Sequence, residues 1–154
     1  MKKAIILSLL AILLIPVLVM GCSKTNAANT DKETKTVEIS IDEFSAQNHI
    51  TRNIELTRPG FLTVTLGSNP TTGYQWGENP VLATAGKDPI LSQKSHEFVA
   101  PQSTGEGVVG APGKDVWVFD ALRTGSTAIS FSYGRPWEGG EKDTWTLMIN
   151  VNVK

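Results

Sequence analysis

From Trp145 to Val153 every second residue is apolar: Trp145, Leu147, Ile149, Val151 and Val153 share one parity, and Thr146, Met148, Asn150 and Asn152 the other. Only an extended chain, whose side chains point alternately to opposite faces, gathers such a run onto one side. The same period of two recurs in Val37-x-Ile39-x-Ile41, in Ile54-x-Leu56 before the turn at Arg58-Pro59-Gly60, and in Leu62-x-Val64-x-Leu66. It returns between Ile90 and Val99, and in Val116–Phe119 and Ile129–Tyr133, joined across Thr124-Gly125-Ser126. No window beyond residue 20 sustains the 3.6-residue apolar spacing of a helix, and Pro80, Gly86 and Pro89 oppose a long helix in Gly77–Pro89. The pattern predicts an all-β chain folded as an antiparallel β-sandwich. With 154 residues, 40% of them hydrophobic and 19% charged, there is enough apolar material for one core, placed at 37–154.

The first residues follow a different logic. Lys2 and Lys3 precede an apolar run from Ala4 to Met20, broken by Ser8 and Pro16, which ends at Val19-Met20-Gly21-Cys22. This resembles a bacterial lipoprotein signal peptide over residues 1–21, cleaved before Cys22, whose thiol then carries a diacylglycerol. An uncleaved membrane-spanning anchor is the alternative, because the run approaches the ~20 residues that a spanning helix needs. Either way the protein is expected to be exported and held at a membrane. Residues 22–36 form a tether: from Ser23 to about Lys35 there is no aromatic and no aliphatic larger than Ala to offset the cost of ordering.

Cys22 is the single cysteine, so the domain beyond it has no disulfide, no cysteine nucleophile and no Cys-liganded zinc. Net charge is −1 and the sequence pI about 6.1, which leaves no basic field for nucleic acid. Of the two histidines, His49 sits in an expected turn and His96 in a polar patch, Gln93–Glu97, read as a solvated strand face. Neither has metal-ligand spacing, and no serine sits in a Gly-x-Ser-x-Gly elbow. Gly105-Glu106-Gly107-Val108-Val109-Gly110 is a literal GxGxxG, but Ala111-Pro112-Gly113 follows it where a dinucleotide site needs a helix. No cofactor, metal or catalytic group is expected.

What remains is three irregular loops. Asn69-Pro70-Thr71-Thr72-Gly73 lies between an ingoing strand and Tyr74-Gln75-Trp76; Pro70 fixes its own φ and extends Asn69, and Gly73 permits a positive φ. The second is Pro101–Gly113 and the third Arg135–Gly140. Two strand crossings separate the first from the second and two more the second from the third, provided Val81–Thr84 is not a crossing of its own. An even number returns the chain to the same end, so all three should lie side by side. Trp76, Trp117 and Trp145 read as core. Trp137, after a proline and before Glu138-Gly139-Gly140, reads as at least partly exposed beside Arg135, which is the composition of a binding hot spot; the alternative is a lid folded over the sandwich end.

Together these loops resemble the chagasin family of cysteine-peptidase inhibitors. Asn69-Pro70-Thr71-Thr72-Gly73-Tyr74-x-Trp76 matches that family's first binding loop and Tyr133-x-Arg135-Pro136-Trp137 its third. In the middle loop Val108-Val109-Gly110-Ala111 fits, whereas Pro112 stands where a second glycine is usual and Gly113 comes one later. The resemblance spans about Val37 to Lys154. It implies an immunoglobulin-like sandwich acting as a monomer, whose three loops occlude the cleft of a papain-like cysteine peptidase. The Asn69–Gly73 loop would lie over the catalytic Cys and His with the Thr71-Thr72 backbone at its centre. Arg135 and Trp137 would grip the primed-side wall, and the Gly110 loop the other side, with Tyr74, Ala111 and Pro136 among the binding residues. A membrane-anchored adhesion or scaffolding module using the same end is the competing expectation.

Overall fold

The structure, a computed structural model, describes residues 32–83, 88–101 and 110–154. The leader, Cys22, the tether up to residue 31 and most of the GxGxxG stretch, Val108 and Val109 included, lie outside the described residues.

The strands are β1 (Glu33–Ile39), β2 (His49–Leu56), β3 (Gly60–Ser68), β4 (Gln75–Trp76), β5 (Val81–Leu82), β6 (Leu91–Val99), β7 (Gly113–Ala121), β8 (Gly125–Gly134) and β9 (Trp145–Val153), with one short helix, α1 (Ile41–Ala46). One sheet has the order β1-β3-β7-β6; the other runs β2-β9-β8-β4, with β5 also on β8. The alternating runs turn their apolar parity inward as the sequence predicts. Leu62, Val64 and Leu66 on one sheet and Ile129, Leu147 and Ile149 on the other are fully buried between the layers. The result is an all-β, immunoglobulin-like sandwich.

Both sheets are mixed rather than purely antiparallel. β1 runs parallel to β3 (Val37 opposite Val64) and β2 parallel to β9 (Ile50 opposite Leu147), while the other ladders are antiparallel. Side-chain alternation reports which face is buried and carries no information about the direction of the neighbouring strand, so the pattern could not distinguish the two.

β1 also begins at Glu33, four residues before the expected start at Val37. Its first half has nothing apolar to bury and is held by backbone pairing to Gly60–Thr63 and by Glu33. That carboxylate is held down to about 2 by hydrogen bonds from the Lys35 side chain and the Thr57 N–H. Hydropathy is blind to such a strand.

The helix was also not expected. Ser40 is its N-cap, accepting from Glu43 N–H at 3.1 Å, and Ser40-Ile41-Asp42-Glu43 has the spacing of a capping box with acidic residues in the first turn. One turn and a half is too short to show a helical period. It crosses from one sheet to the other and drops Phe44, fully buried, between Trp76 (centroids 5.0 Å) and Trp145 (5.4 Å, stacked).

His96 does not lie on a solvated face. It stacks on Trp117 at 4.4 Å and bonds Asp115 Oδ1 through Nε2 at 2.7 Å, on the inner side. The reason is a register shift between Gln93 and Ser95, which inverts the parity of every later residue in β6. His49 opens β2, opposite Thr146, instead of occupying a turn. Of the four tryptophans, Trp76 and Trp117 are buried, Trp145 is half-buried against the core, and Trp137 is exposed.

Candidate functional site

The condition on loop placement is met by β4 and β5. Gln75 and Trp76 pair with Gly134 and Tyr133, and Val81 and Leu82 with Ser130 and Ile129, so both pieces run the same way along β8. They are one crossing interrupted at Gly77–Pro80. The chain therefore returns to the same end of the sandwich for each loop.

In the first loop, Asn69 keeps out of the helical region, as the residue before a proline tends to, though with φ −134° and ψ 83° it falls short of fully extended; Pro70–Thr72 make a single 3₁₀ turn, and Gly73 ends it with φ +80°. Asn69 uses its polar atoms to hold the loop in place. Its N–H donates to Tyr133 Oη (3.1 Å) and its Nδ2 to Gly110 O (3.2 Å), while its carbonyl accepts from Thr72 N–H (3.1 Å) and Thr72 Oγ1 (2.7 Å) and its Oδ1 from Thr71 Oγ1 (2.6 Å). The bond to Gly110 ties the first loop to the second. Pro70, Thr71 and Thr72 are left exposed at the summit.

The described part of the middle loop is Gly110, with φ +89°, then half-buried Ala111 and exposed Pro112. Gly113, the displaced glycine, belongs to the strand: it pairs with Ser68, and a Cβ there would lie 2.5 Å from the Phe98 ring. Pro112 is thus the junction between loop and strand.

The third loop runs from Gly134 to Asp143 and doubles back tightly. Arg135 N–H donates to Glu141 O (2.7 Å), Gly140 N–H to Trp137 O (3.2 Å), and Gly139 takes φ +72°. Trp137 is 50% exposed, yet it is not loose. Its indole rests on Gly73, where a Cβ would come within 2.7 Å of Trp137 Cη2. Gly73 is therefore required twice, by its positive φ and by the ring above it, and Trp137 leans on the first loop instead of sealing the core.

Beneath the tip, flat groups stack from the core outward. Phe44 meets Trp145 at 5.4 Å, Trp145 meets Tyr133 at 4.8 Å, and Tyr133 meets Tyr74 at 5.8 Å. The Arg135 guanidinium then lies 4.5 Å from the Tyr74 ring and 5.8 Å from Trp137. Offset aromatic pairs and cation–π contacts each contribute about 0.5–1.5 kcal/mol beyond burial. The column couples the exposed indole to the buried helix residue. Tyr74 also donates its hydroxyl to Glu141, latching the first loop to the third.

The structure thus brings together Asn69, Pro70, Thr71, Thr72, Gly73, Tyr74, Gly110, Ala111, Arg135, Pro136 and Trp137, every described residue that the sequence singled out here. Sequence reasoning missed Glu141 and Lys142, which brace the third loop, and Phe44, which founds the column. The capping-box spacing at Ser40 could have revealed the last; nothing local marks the other two. Among the described residues no group of three or more His, Cys, Asp or Glu could hold a metal. Among the described residues the end offers shape, backbone groups and an exposed indole.

Comparison with known proteins agrees. The family described as "Chagasin family peptidase inhibitor I42" matches residues 61–150, more than half of the chain and including both complete loops. Amoebiasin-2 of Entamoeba histolytica is 27% identical over 109 residues, covering 70% of this chain and 80% of that protein. Amoebiasin-1 of the same organism is 33% identical over 89 residues, 57% of this chain and 78% of that one. The crystal structure of the cysteine protease inhibitor EhICP2 from Entamoeba histolytica superposes with a TM-score of 0.57 at 25% identity, over 79% of this chain and 97% of that one. The family so matched is one of peptidase inhibitors and not of enzymes, and the chain belongs to the chagasin family of peptidase inhibitors.

Proposed function

We propose that the protein is a reversible, competitive inhibitor of papain-like cysteine peptidases, which fills the active-site cleft with the loops Asn69–Gly73, Val108–Gly113 and Arg135–Gly139. The observation that carries this reading is the mutual locking of the loops, Asn69 on Gly110 and Trp137 on Gly73. Groups already fixed in place lose little entropy on docking, so an interface of modest area can bind tightly. The likeness to EhICP2, described as a cysteine protease inhibitor, supports the target class.

In this reading the exposed Thr71–Thr72 turn lies over the catalytic cysteine and histidine, where it blocks access without offering a bond to cleave. Trp137 presents its free face to the primed-side wall, with Arg135 and Pro136 behind it. Arg135 acts chiefly as a spacer, since its guanidinium lies 4.5 Å from the Tyr74 ring and 5.8 Å from the Trp137 ring of its own chain. Gly110 and Ala111 meet the opposite wall. The test is steady-state kinetics on a small set of papain-like enzymes with a serine peptidase as control. Raised apparent KM at constant kcat in the first group alone is expected; unchanged rates at micromolar protein contradict the reading.

We also propose that the inhibitor works at a membrane, tethered through a lipid on Cys22. Lys2, Lys3, the apolar run and the lone cysteine after Gly21 support it. Cys22→Ala should abolish palmitate labelling of the protein in expressing bacterial cells; wild-type protein that incorporates no palmitate contradicts lipidation.

A further inference from the structure

We propose that Lys142 is a positioning residue for inhibition, holding Trp137 in its binding pose before any peptidase arrives; the proposal rests on the inhibitory reading above. The two arms of the third loop lie against each other so closely that a Cβ on Gly134 would be 2.6 Å from Glu141 O and 3.2 Å from Lys142 Cα. Across this gap the Lys142 ammonium donates to Arg135 O at 2.6 Å and to Trp137 O at 2.8 Å.

Those carbonyls bracket Pro136 and Trp137. Pro136 has a fixed φ, so anchoring the peptide plane before Pro136 and the one after Trp137 limits how far the Trp137 Cα–Cβ bond can swing. Trp137 O accepts a second bond from Gly140 N–H at 3.2 Å, so both of its lone pairs are used within the loop. On the far side, Gly140 packs where a Cβ would be 2.7 Å from Arg135 Cβ and 3.1 Å from Trp137 Nε1. Without the ammonium, one backbone bond at each level, Arg135 N–H to Glu141 O and Gly140 N–H to Trp137 O, remains to hold the turn. Two of the three ammonium protons are committed to the loop's own backbone, which marks Lys142 as a brace rather than a contact.

The consequence is quantitative. If the indole leaves Gly73 for part of the time, apparent affinity falls in proportion to the fraction still correctly posed. Lys142→Met keeps the length and apolar character of the stem and removes both bonds. In the full-length protein it should raise the Ki against papain about tenfold, with the melting temperature nearly unchanged because the residue is exposed. Amide hydrogen exchange at Arg135 and Gly140 of the free protein should accelerate while the sheets keep their protection. Lys142→Arg, which retains a cation able to reach both carbonyls, should recover most of the affinity. In a Trp137→Ala background Lys142→Met should have almost no further effect, since residues acting through one another are not additive.

Equal weakening in both backgrounds with unchanged exchange would make Lys142 a direct peptidase contact and overturn the proposal, as would an unchanged Ki. A wild-type protein that does not inhibit papain or its relatives would instead defeat the inhibitory reading. The exchange measurement on the free protein would still decide separately whether Lys142 holds the loop.

Discussion

Trp137→Ala is expected to weaken inhibition of a papain-like peptidase by roughly 2 kcal/mol or more, about 30-fold in Ki, while leaving the fold intact. The size follows from what the side chain is and how it is held. An indole with half its surface free offers a large apolar area to a partner, and the half it uses at home fixes its direction. It rests on Gly73, with Arg135 and Tyr74 stacked behind it. Truncation removes the contact without opening a core cavity, so the melting temperature should move by only a few degrees. The effect should fall mainly on the dissociation rate, as it does for most interface substitutions. Unchanged affinity with the fold preserved would make Trp137 a lid over the first loop and remove it from the binding surface.

The second large effect concerns stability. Phe44→Ala should destabilise the domain by about 3–5 kcal/mol, the usual range for emptying a buried aromatic site. Phe44 has no exposed surface and fills the space between Trp76 and Trp145 under the loops. Its neighbours are themselves committed: Trp76 donates Nε1–H to Gly67 O at 3.0 Å, and Trp145 is stacked on Tyr133. They can collapse little into the void. Urea unfolding should show a lower midpoint at constant slope. A loss below about 1 kcal/mol would mean that the helix is not part of the core. Because Tyr133 carries the hydroxyl that receives Asn69 N–H, the same variant should inhibit less well even at temperatures where it remains folded.

Most of the sandwich was legible in the sequence because its inner faces are apolar and its outer faces polar, and that contrast survives in strands such as β3 and β9 without interruption. Where a strand is held by something other than burial, the pattern fails. Glu33–Thr36 is held by backbone pairing and the Glu33 carboxylate instead of by burial, the shift at Gln93/Ser95 turns His96 inward, and strand direction leaves no mark on hydropathy at all. The first and third loops were legible because proline and glycine restrict the chain in ways that can be read residue by residue. Glu141 and Lys142 were not, since an acid and a base after Gly139-Gly140 look like any solvated turn until the hairpin folds back and delivers them to Tyr74 and to two carbonyls. The aromatic column was hidden for a similar reason. Its members come from four separate segments, and only the assembled sheets bring Phe44, Trp145, Tyr133 and Tyr74 into register.

The claim on which this account depends is that the locked tip occupies the substrate cleft of a papain-like peptidase. The most direct measurement is substrate-competition kinetics of the wild-type protein against such an enzyme, with Trp137→Ala measured beside it. The account predicts an apparent KM that rises linearly with inhibitor concentration at constant kcat, and a slope about 30-fold shallower for the variant. No inhibition at micromolar protein, or inhibition that lowers kcat and is indifferent to Trp137, would contradict it.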